Sequence, residues 1–131
     1  MARVLIIDDD PDIVESMKVI LENKGYNVIS ASSGKEGLDK AKKDKPDLII
    51  LDIIMETGDK GLDVARQLKK DENYKAIPIL MLTSLKEKTG FDFKGEAGDK
   101  DWLPVEDYCD KPLRPEELTR KVEALLKGKT G

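Results

Sequence analysis

Short apolar runs alternate with amphipathic segments along this chain, and the alternation limits its possible folds more than any other feature. Four runs have the length and apolar character of β-strands, at residues 3–7, 26–30, 47–52 and 77–84, and the segment EDYCD at residues 106–110 resembles a short fifth strand. Four segments repeat apolar residues at helical spacing, at residues 11–24, 33–43, 62–71 and 114–128. Strands that alternate with helices predict an α/β fold, in which helices cover both faces of a parallel sheet.

One stretch interrupts the alternation. Residues 85–104 contain three glycines and scattered aromatic residues, but no sustained helical pattern. We therefore expect a long loop to replace most of the helix that should precede the last strand. A loop of this length in a compact domain is usually either functional or disordered.

The composition fits a single globular domain. A chain of 131 residues with 39% hydrophobic residues supports one core, which we expect over about residues 2–127. The net charge of −4 without a basic cluster argues against a nucleic-acid partner. The absence of histidine excludes a Ser-His-Asp hydrolase, a zinc site with histidine ligands and a phosphohistidine donor.

The sequence also favours a cytoplasmic location without membrane association. It contains neither a signal-peptide pattern nor an apolar segment long enough to cross a bilayer. Its single cysteine, Cys109, cannot form an internal disulfide, which fits a reducing compartment.

Polar side chains follow four of the five predicted strands. Asp8 and Asp9 follow the first strand, Asp52 ends the third, Thr83 lies near the end of the fourth, and Lys111 follows the fifth. Right-handed crossovers bring the carboxyl ends of parallel strands to one edge of the sheet, where ligands of such folds bind. The sequence therefore predicts a site made of carboxylates, a hydroxyl and an ammonium group.

The three consecutive aspartates after the first strand need an explanation. Asp10 can cap the next helix, with Pro11 at its first position. Asp8 and Asp9 would repel each other, because two like charges about 4 Å apart interact by about 4 kcal/mol at an effective dielectric of about 20. A divalent cation removes this cost, and a set of carboxylate ligands favours Mg²⁺ or a similar hard ion such as Mn²⁺. One carboxylate then stays available as a nucleophile towards phosphate.

Four motifs occur in a characteristic order: VLIIDDD, DLIILDII, ILMLTS and DYCDKPL. With these motifs the chain resembles the receiver domains of two-component response regulators, and in particular the stand-alone, chemotaxis-regulator-like ones. The resemblance covers nearly the whole chain, and we expect residues 1–131 to form a single receiver domain. It implies a flavodoxin-like, doubly wound sheet of five parallel strands in the order 2-1-3-4-5.

The same resemblance implies roles for the residues of the acidic site. Asp52 would be the phosphoacceptor. Asp8 and Asp9, together with Asp52 and the backbone carbonyl of Ile54, would hold Mg²⁺.

Further roles in the switch follow from the resemblance. Thr83 and Lys111 would bind the phosphoryl group, and Thr83 would form the conformational switch with Tyr108. The Lys111–Pro112 bond would be cis. The chain departs from the family at Glu56, where proline is common, and in the longer interval between Thr83 and Lys111. It departs again at Arg114, where a helix-capping serine is common.

The resemblance implies a phosphorylation switch rather than a general enzyme. A sensor histidine kinase or a phosphotransfer protein would phosphorylate Asp52, and the chain would catalyse only its own phosphorylation and dephosphorylation. Output would pass to a downstream protein by direct contact, from a monomer or weak dimer. Two alternatives stay open: a haloacid-dehalogenase-like phosphatase that uses Asp8 and Asp10, and a degenerate receiver that binds its partner without phosphorylation.

Overall fold

The computed structural model describes residues 2–52, 61–83, 107–110 and 114–130. It contains five strands, β1 (Arg3–Ile7), β2 (Asn27–Ala31), β3 (Leu48–Asp52), β4 (Ile79–Thr83) and β5 (Asp107–Asp110). Its helices in these ranges are α1 (Pro11–Asn23), α2 (Gly34–Asp44), α3 (Gly61–Lys70) and α4 (Pro115–Thr130). The bounds lie within two residues of those predicted from the sequence.

The five strands form one parallel sheet in the order β2-β1-β3-β4-β5. This confirms the doubly wound flavodoxin-like topology. Strand β1 lies between β2 and β3, and its residue Ile7 pairs with Leu51. The predicted long loop at 85–104 lies outside the described residues.

Two apolar layers cover the faces of the sheet. Alternate strand residues such as Leu5 and Ile49 pack with α2 and α3, whereas Val4 and Ile50 pack with α1 and α4. Residues 4–7 are fully buried because β1 has a helix layer on each side. This explains why the strands read as continuous apolar runs instead of alternating with polar residues.

Capping residues set the ends of the first helix. The Asp10 carboxylate accepts hydrogen bonds from the backbone N–H groups of Asp12 at 3.0 Å and Ile13 at 3.4 Å, as the sequence predicts. Pro11 occupies the first turn, where its missing N–H has no cost. Gly25 follows the helix with a φ of 92°, a left-handed conformation that glycine adopts without strain.

Helix α2 packs very closely on the end of β1. Gly37 faces Ile7, and a Cβ atom at position 37 would lie 2.7 Å from Ile7 Cγ1 and 3.1 Å from Ile7 Cγ2. Because Ile7 directly precedes Asp8, this contact fixes the helix against the edge of the sheet that carries the acidic residues. None of the helices in the described ranges has both the length and the apolar character that a membrane span requires.

Candidate functional site

Three carboxylates meet at the carboxyl edge of the sheet. Asp8, Asp9 and Asp52 each place an oxygen within 4.8 Å of the others. Asp8 and Asp52 are buried, with exposed fractions of 2% and 4%, and Asp9 is partly exposed. The cluster therefore lies mainly inside the protein, with Asp9 on its solvent side.

The register of the sheet explains how residues so distant in sequence come together. Strands β1 and β3 are neighbours, and Ile7 pairs with Leu51, so the next residues, Asp8 and Asp52, lie side by side. Neighbouring strands are about 4.8 Å apart, which is the scale of the carboxylate cluster. Backbone pairing thus sets the separation between the acidic side chains.

Hydrogen bonds on two sides hold Asp8 in place. Its backbone N–H donates to the carbonyl of Ala31, at the end of β2, at 3.1 Å. Its Oδ1 accepts a hydrogen bond from the backbone N–H of Asp10 at 2.9 Å. Asp8 therefore links the end of β2 to the start of α1.

Asp10 differs from its two neighbours. Its Oδ1 caps α1, and its carboxylate is not a member of the three-residue cluster. A phosphatase of the haloacid-dehalogenase type would use Asp8 together with Asp10, whereas here Asp8 lies with Asp9 and Asp52. The geometry does not support that alternative.

The cluster fits a hard divalent cation. All three side chains supply carboxylate oxygens, the ligand type that Mg²⁺ and Mn²⁺ prefer over softer ligands. Burial lowers the effective dielectric around Asp8 and Asp52, so the repulsion between them is stronger than on an open surface. A bound cation would compensate this repulsion.

The remaining predicted site residues are only partly covered by the structure. Thr83 is the last residue of β4 and pairs with Asp110, so its backbone reaches the same edge of the sheet. Tyr108 lies in β5 and pairs with Met81 of β4. The side chains of Thr83 and Tyr108 lie outside the described residues, as do Ile54 and Lys111.

A cavity of about 400 Å³ opens beside Asp8 and Asp9, between the starts of α1 and α2. The residues that line its other sides come from α1, the end of β2 and α2, namely Pro11, Val14, Glu15, Ser30, Ala31, Ser32, Glu36 and Lys40. Sequence reasoning did not assign Glu36 or Lys40 to the neighbourhood of the site. The signals that could have found them are the Ser-x-x-Glu pattern at residue 33 and the four-residue spacing of Glu36 and Lys40.

Glu36 is the centre of a polar network on the wall of this cavity. Its Oε1 accepts hydrogen bonds from the backbone N–H of Ser32 at 2.9 Å and from the Ser32 hydroxyl at 3.1 Å. These bonds, followed by the nearby Lys40 ammonium group, hold the pKa of Glu36 below its ordinary value. Lys40 Nζ lies 3.3 Å from Glu36 Oε2 and also donates a hydrogen bond to the Ser30 carbonyl.

The chain matches a known protein-family model over most of its length. The model of the response regulator receiver domain matches residues 4–123. This chain belongs to the response regulator receiver domain family. The family is that of two-component signalling, as the sequence motifs indicate.

Curated relatives agree with this assignment. The chain is 35% identical to Protein PilH of Pseudomonas aeruginosa over 131 residues, which cover 98% of the chain and 100% of PilH. It is 39% identical over 125 residues to the alkaline phosphatase synthesis transcriptional regulatory protein PhoP of Bacillus subtilis, and the match covers 95% of the chain. The match covers 48% of PhoP, and the chain likewise spans about half the length of most of the other curated relatives.

Solved structures share the fold. The response regulator protein TrrA from Thermotoga maritima, in complex with Mg²⁺-BeF, is 34% identical and superposes with a TM-score of 0.79. The superposition covers 95% of this chain and 99% of TrrA. The receiver domain thus accounts for nearly all of the chain.

Proposed function

We propose that this chain is a phosphorylation switch in which Asp52 accepts a phosphoryl group from a sensor histidine kinase or a phosphotransfer protein. The observation that carries the proposal is the cluster of Asp8, Asp9 and Asp52 at the carboxyl edge of the sheet. A buried carboxylate beside two others suits metal-dependent phosphoryl transfer, which depends on positioning and charge neutralisation.

The acidic residues have distinct roles in this proposal. Asp8 and Asp9 hold Mg²⁺, or Mn²⁺ in its place, together with Asp52 and the backbone carbonyl of Ile54. When bound, the ion supplies positive charge to the carboxylates and to the oxygens of the incoming phosphoryl group. The complex of the related TrrA with Mg²⁺-BeF supports this choice of metal.

The transfer itself uses the carboxylate of Asp52. One of its oxygens forms a bond to phosphorus while the bond between phosphorus and the donor atom breaks, and the leaving group keeps that electron pair. The product is an acyl phosphate, which water later hydrolyses to restore Asp52. Lys111 and Thr83 bind the phosphoryl oxygens, and Thr83 and Tyr108 change conformation in response.

The chain acts only on itself in this proposal, so it is a switch and not an enzyme with an external substrate. The chain acts in the cytoplasm as a single receiver domain, and as a monomer or weak dimer. Its output is contact with a downstream protein, without a nucleic-acid or membrane partner. The match covers the whole length of the relative PilH, so a receiver domain can make up an entire protein.

Phosphorylation by acetyl phosphate and Mg²⁺, measured by intact mass, tests the proposal directly. We expect the wild-type chain to gain one phosphoryl group, and Asp52→Asn to gain none, because an amide cannot replace the attacking carboxylate. Asp39→Asn is the matched control, since Asp39 is an exposed aspartate on α2, and this variant should be labelled like the wild type. Labelling should disappear when EDTA removes the metal.

Two results would contradict the proposal. Labelling of Asp52→Asn at the wild-type rate would move the acceptor to another residue. A wild-type chain that is never labelled, by a small donor or by a histidine kinase, would instead favour a degenerate receiver that binds its partner without phosphorylation.

A further inference from the structure

The turn between β2 and α2 is held from the helix side. Ser32 and Ser33 form this turn, and Glu36 Oε1 accepts hydrogen bonds from the Ser32 backbone N–H at 2.9 Å and from its hydroxyl at 3.1 Å. In return, the Ser33 hydroxyl oxygen accepts a hydrogen bond from the Glu36 backbone N–H at 3.2 Å. Both serines are therefore tied to the first turn of α2.

Lys40 adds a second connection, one helical turn further along α2. Its Nζ donates a hydrogen bond to the Ser30 carbonyl and lies 3.3 Å from Glu36 Oε2. Strand β2 is an edge strand, and successive carbonyls of a strand point in opposite directions. The Ser30 carbonyl therefore points away from β1, towards α2, where Lys40 binds it.

The residue between these two anchor points reaches the acidic site. Ala31 lies between Ser30, held by Lys40, and Ser32, held by Glu36. The carbonyl of Ala31 accepts the hydrogen bond of the Asp8 backbone N–H at 3.1 Å. A continuous path of contacts thus runs from α2 through the end of β2 to the main chain of Asp8.

We propose that Glu36 and Lys40 are positioning residues of the metal site, which hold Ala31 so that its carbonyl fixes the main chain of Asp8. The inference deepens the proposed function and rests on it for the identity of the metal. Neither residue coordinates the ion. Both act through Ser30, Ser32 and Ala31.

Lys40 could affect Mg²⁺ binding through its charge or through its positioning of the main chain, and these two effects can be distinguished. Lys40 lines the same cavity as Asp8 and Asp9, so its ammonium group by itself opposes the binding of a cation there. Removal of that charge alone would strengthen Mg²⁺ binding. Loss of positioning would weaken Mg²⁺ binding, so the two effects have opposite signs.

Three variants of the full chain test the inference. Lys40→Met removes the charge and the hydrogen-bond donors but keeps most of the side-chain length. Lys40→Arg keeps both the charge and the donors. Lys43→Met removes a lysine from an exposed position on the same helix and serves as the matched control.

Two measurements apply to each variant, namely the Mg²⁺ dissociation constant by calorimetry and amide hydrogen exchange of the metal-free protein. We expect Lys40→Met to raise the dissociation constant on the order of tenfold, at the low end of what residues outside the ligand shell contribute. We also expect faster exchange of the Asp8 amide, with the Leu5 amide in the middle of β1 unchanged. Lys40→Arg and Lys43→Met should match the wild type in both measurements.

The results separate this inference from the proposed function. An Asp8 amide that exchanges at the wild-type rate in Lys40→Met overturns the inference, because this measurement requires no metal. Unchanged or tighter Mg²⁺ binding by Lys40→Met also overturns it. Failure of the proposed function would have another signature: no uptake of Mg²⁺ by the wild type, or no phosphorylation of Asp52.

Discussion

The two strand-to-helix junctions at the acidic edge of the sheet differ in how they arrange their charged side chains. At the junction of β1 and α1, three consecutive aspartates follow the strand, and only Asp10 serves as a helix cap. At the junction of β2 and α2, two serines bind the helix, and the carboxylate of Glu36 pairs with Lys40. The first junction concentrates negative charge, whereas the second neutralises its own.

This difference in charge arrangement suggests that the two junctions at the carboxyl edge of the sheet have different tasks. Charges that are paired and hydrogen-bonded cost little, so the β2–α2 junction can be a rigid support. Like charges placed close together repel each other, so the cluster at the β1–α1 junction costs stability unless a cation compensates it. The core packs both junctions against the same sheet, so the repulsion at the first junction is tolerated in the folded state.

The largest expected effect comes from the contact that joins the two junctions. Gly37→Ala places a Cβ 2.7 Å from Cγ1 of Ile7, which is fully buried and precedes Asp8. Alanine favours a helix by about 1 kcal/mol over glycine, but overpacking against a stiff β-branched side chain costs more, and we expect a net loss of about 2 kcal/mol. Urea denaturation measures this loss.

Asp39→Ala, at an exposed position of α2, is the control for helix propensity and should not destabilise the protein. A gain in stability for Gly37→Ala would show that α2 can move away from β1. The two junctions would then be less tightly coupled than the packing indicates.

A smaller effect is expected from removal of charge at the first junction. In metal-free buffer, Asp9→Ala should raise the free energy of unfolding by about 1 kcal/mol, because it relieves repulsion with Asp8 and Asp52. Saturating Mg²⁺ should stabilise the wild type but not the variant, because a ligand that binds only the folded state adds to its stability. Thermal unfolding with and without Mg²⁺ measures both effects.

Thermal unfolding of Asp9→Ala can also contradict the view that carboxylate repulsion distinguishes the β1–α1 junction. If Asp9→Ala were destabilised without metal, or gained as much from Mg²⁺ as the wild type, the cluster would not be the source of the repulsion. Phosphorylation of Asp9→Ala at low Mg²⁺ would likewise exclude Asp9 as a ligand.

The smallest effect concerns the pH dependence of the second junction. The pKa of the Glu36 carboxyl is lowered from its ordinary value of 4.5 in the folded state, chiefly by the hydrogen bonds from Ser32. Its contribution to stability is therefore complete above that ordinary value and is lost as the pH falls through the lowered pKa. Glu36→Gln should lose this part of the acid dependence while the exposed control Glu22→Gln keeps it. Denaturation between neutral and acidic pH checks the difference, and identical acid profiles for the two variants would contradict it.

Much of this architecture could be predicted from local patterns. Apolar runs predict the first four strands, and Asp10 and Pro11 predict the start of α1, because these signals depend on neighbouring residues alone. The order of the strands came from the family resemblance, and the structure confirms it. The site roles assigned to Asp52, Thr83, Lys111, Ile54 and Tyr108 stay predictions.

What could not be predicted depends on tertiary contacts. Strand β2 extends to Ala31, whose carbonyl accepts a hydrogen bond from the Asp8 backbone N–H just after the neighbouring strand β1. Helix α2 ends before Lys45, which takes a left-handed φ of 47° that favours glycine, so the residue type gave no signal. Lys40 reaches the Ser30 carbonyl only because α2 packs against the edge of the sheet in the folded protein.

The position of β1 inside the sheet limits how other proteins can control this site. The middle of a strand that is hydrogen-bonded on both sides and buried on both faces opens only when most of the domain unfolds. Asp8 is anchored at the end of such a strand, and Asp52 ends the strand beside it. Under the proposed function, a phosphodonor protein would therefore meet carboxylates whose main-chain positions are already set by the pairing of β1 and β3 and by the hydrogen bond from Asp8 to Ala31.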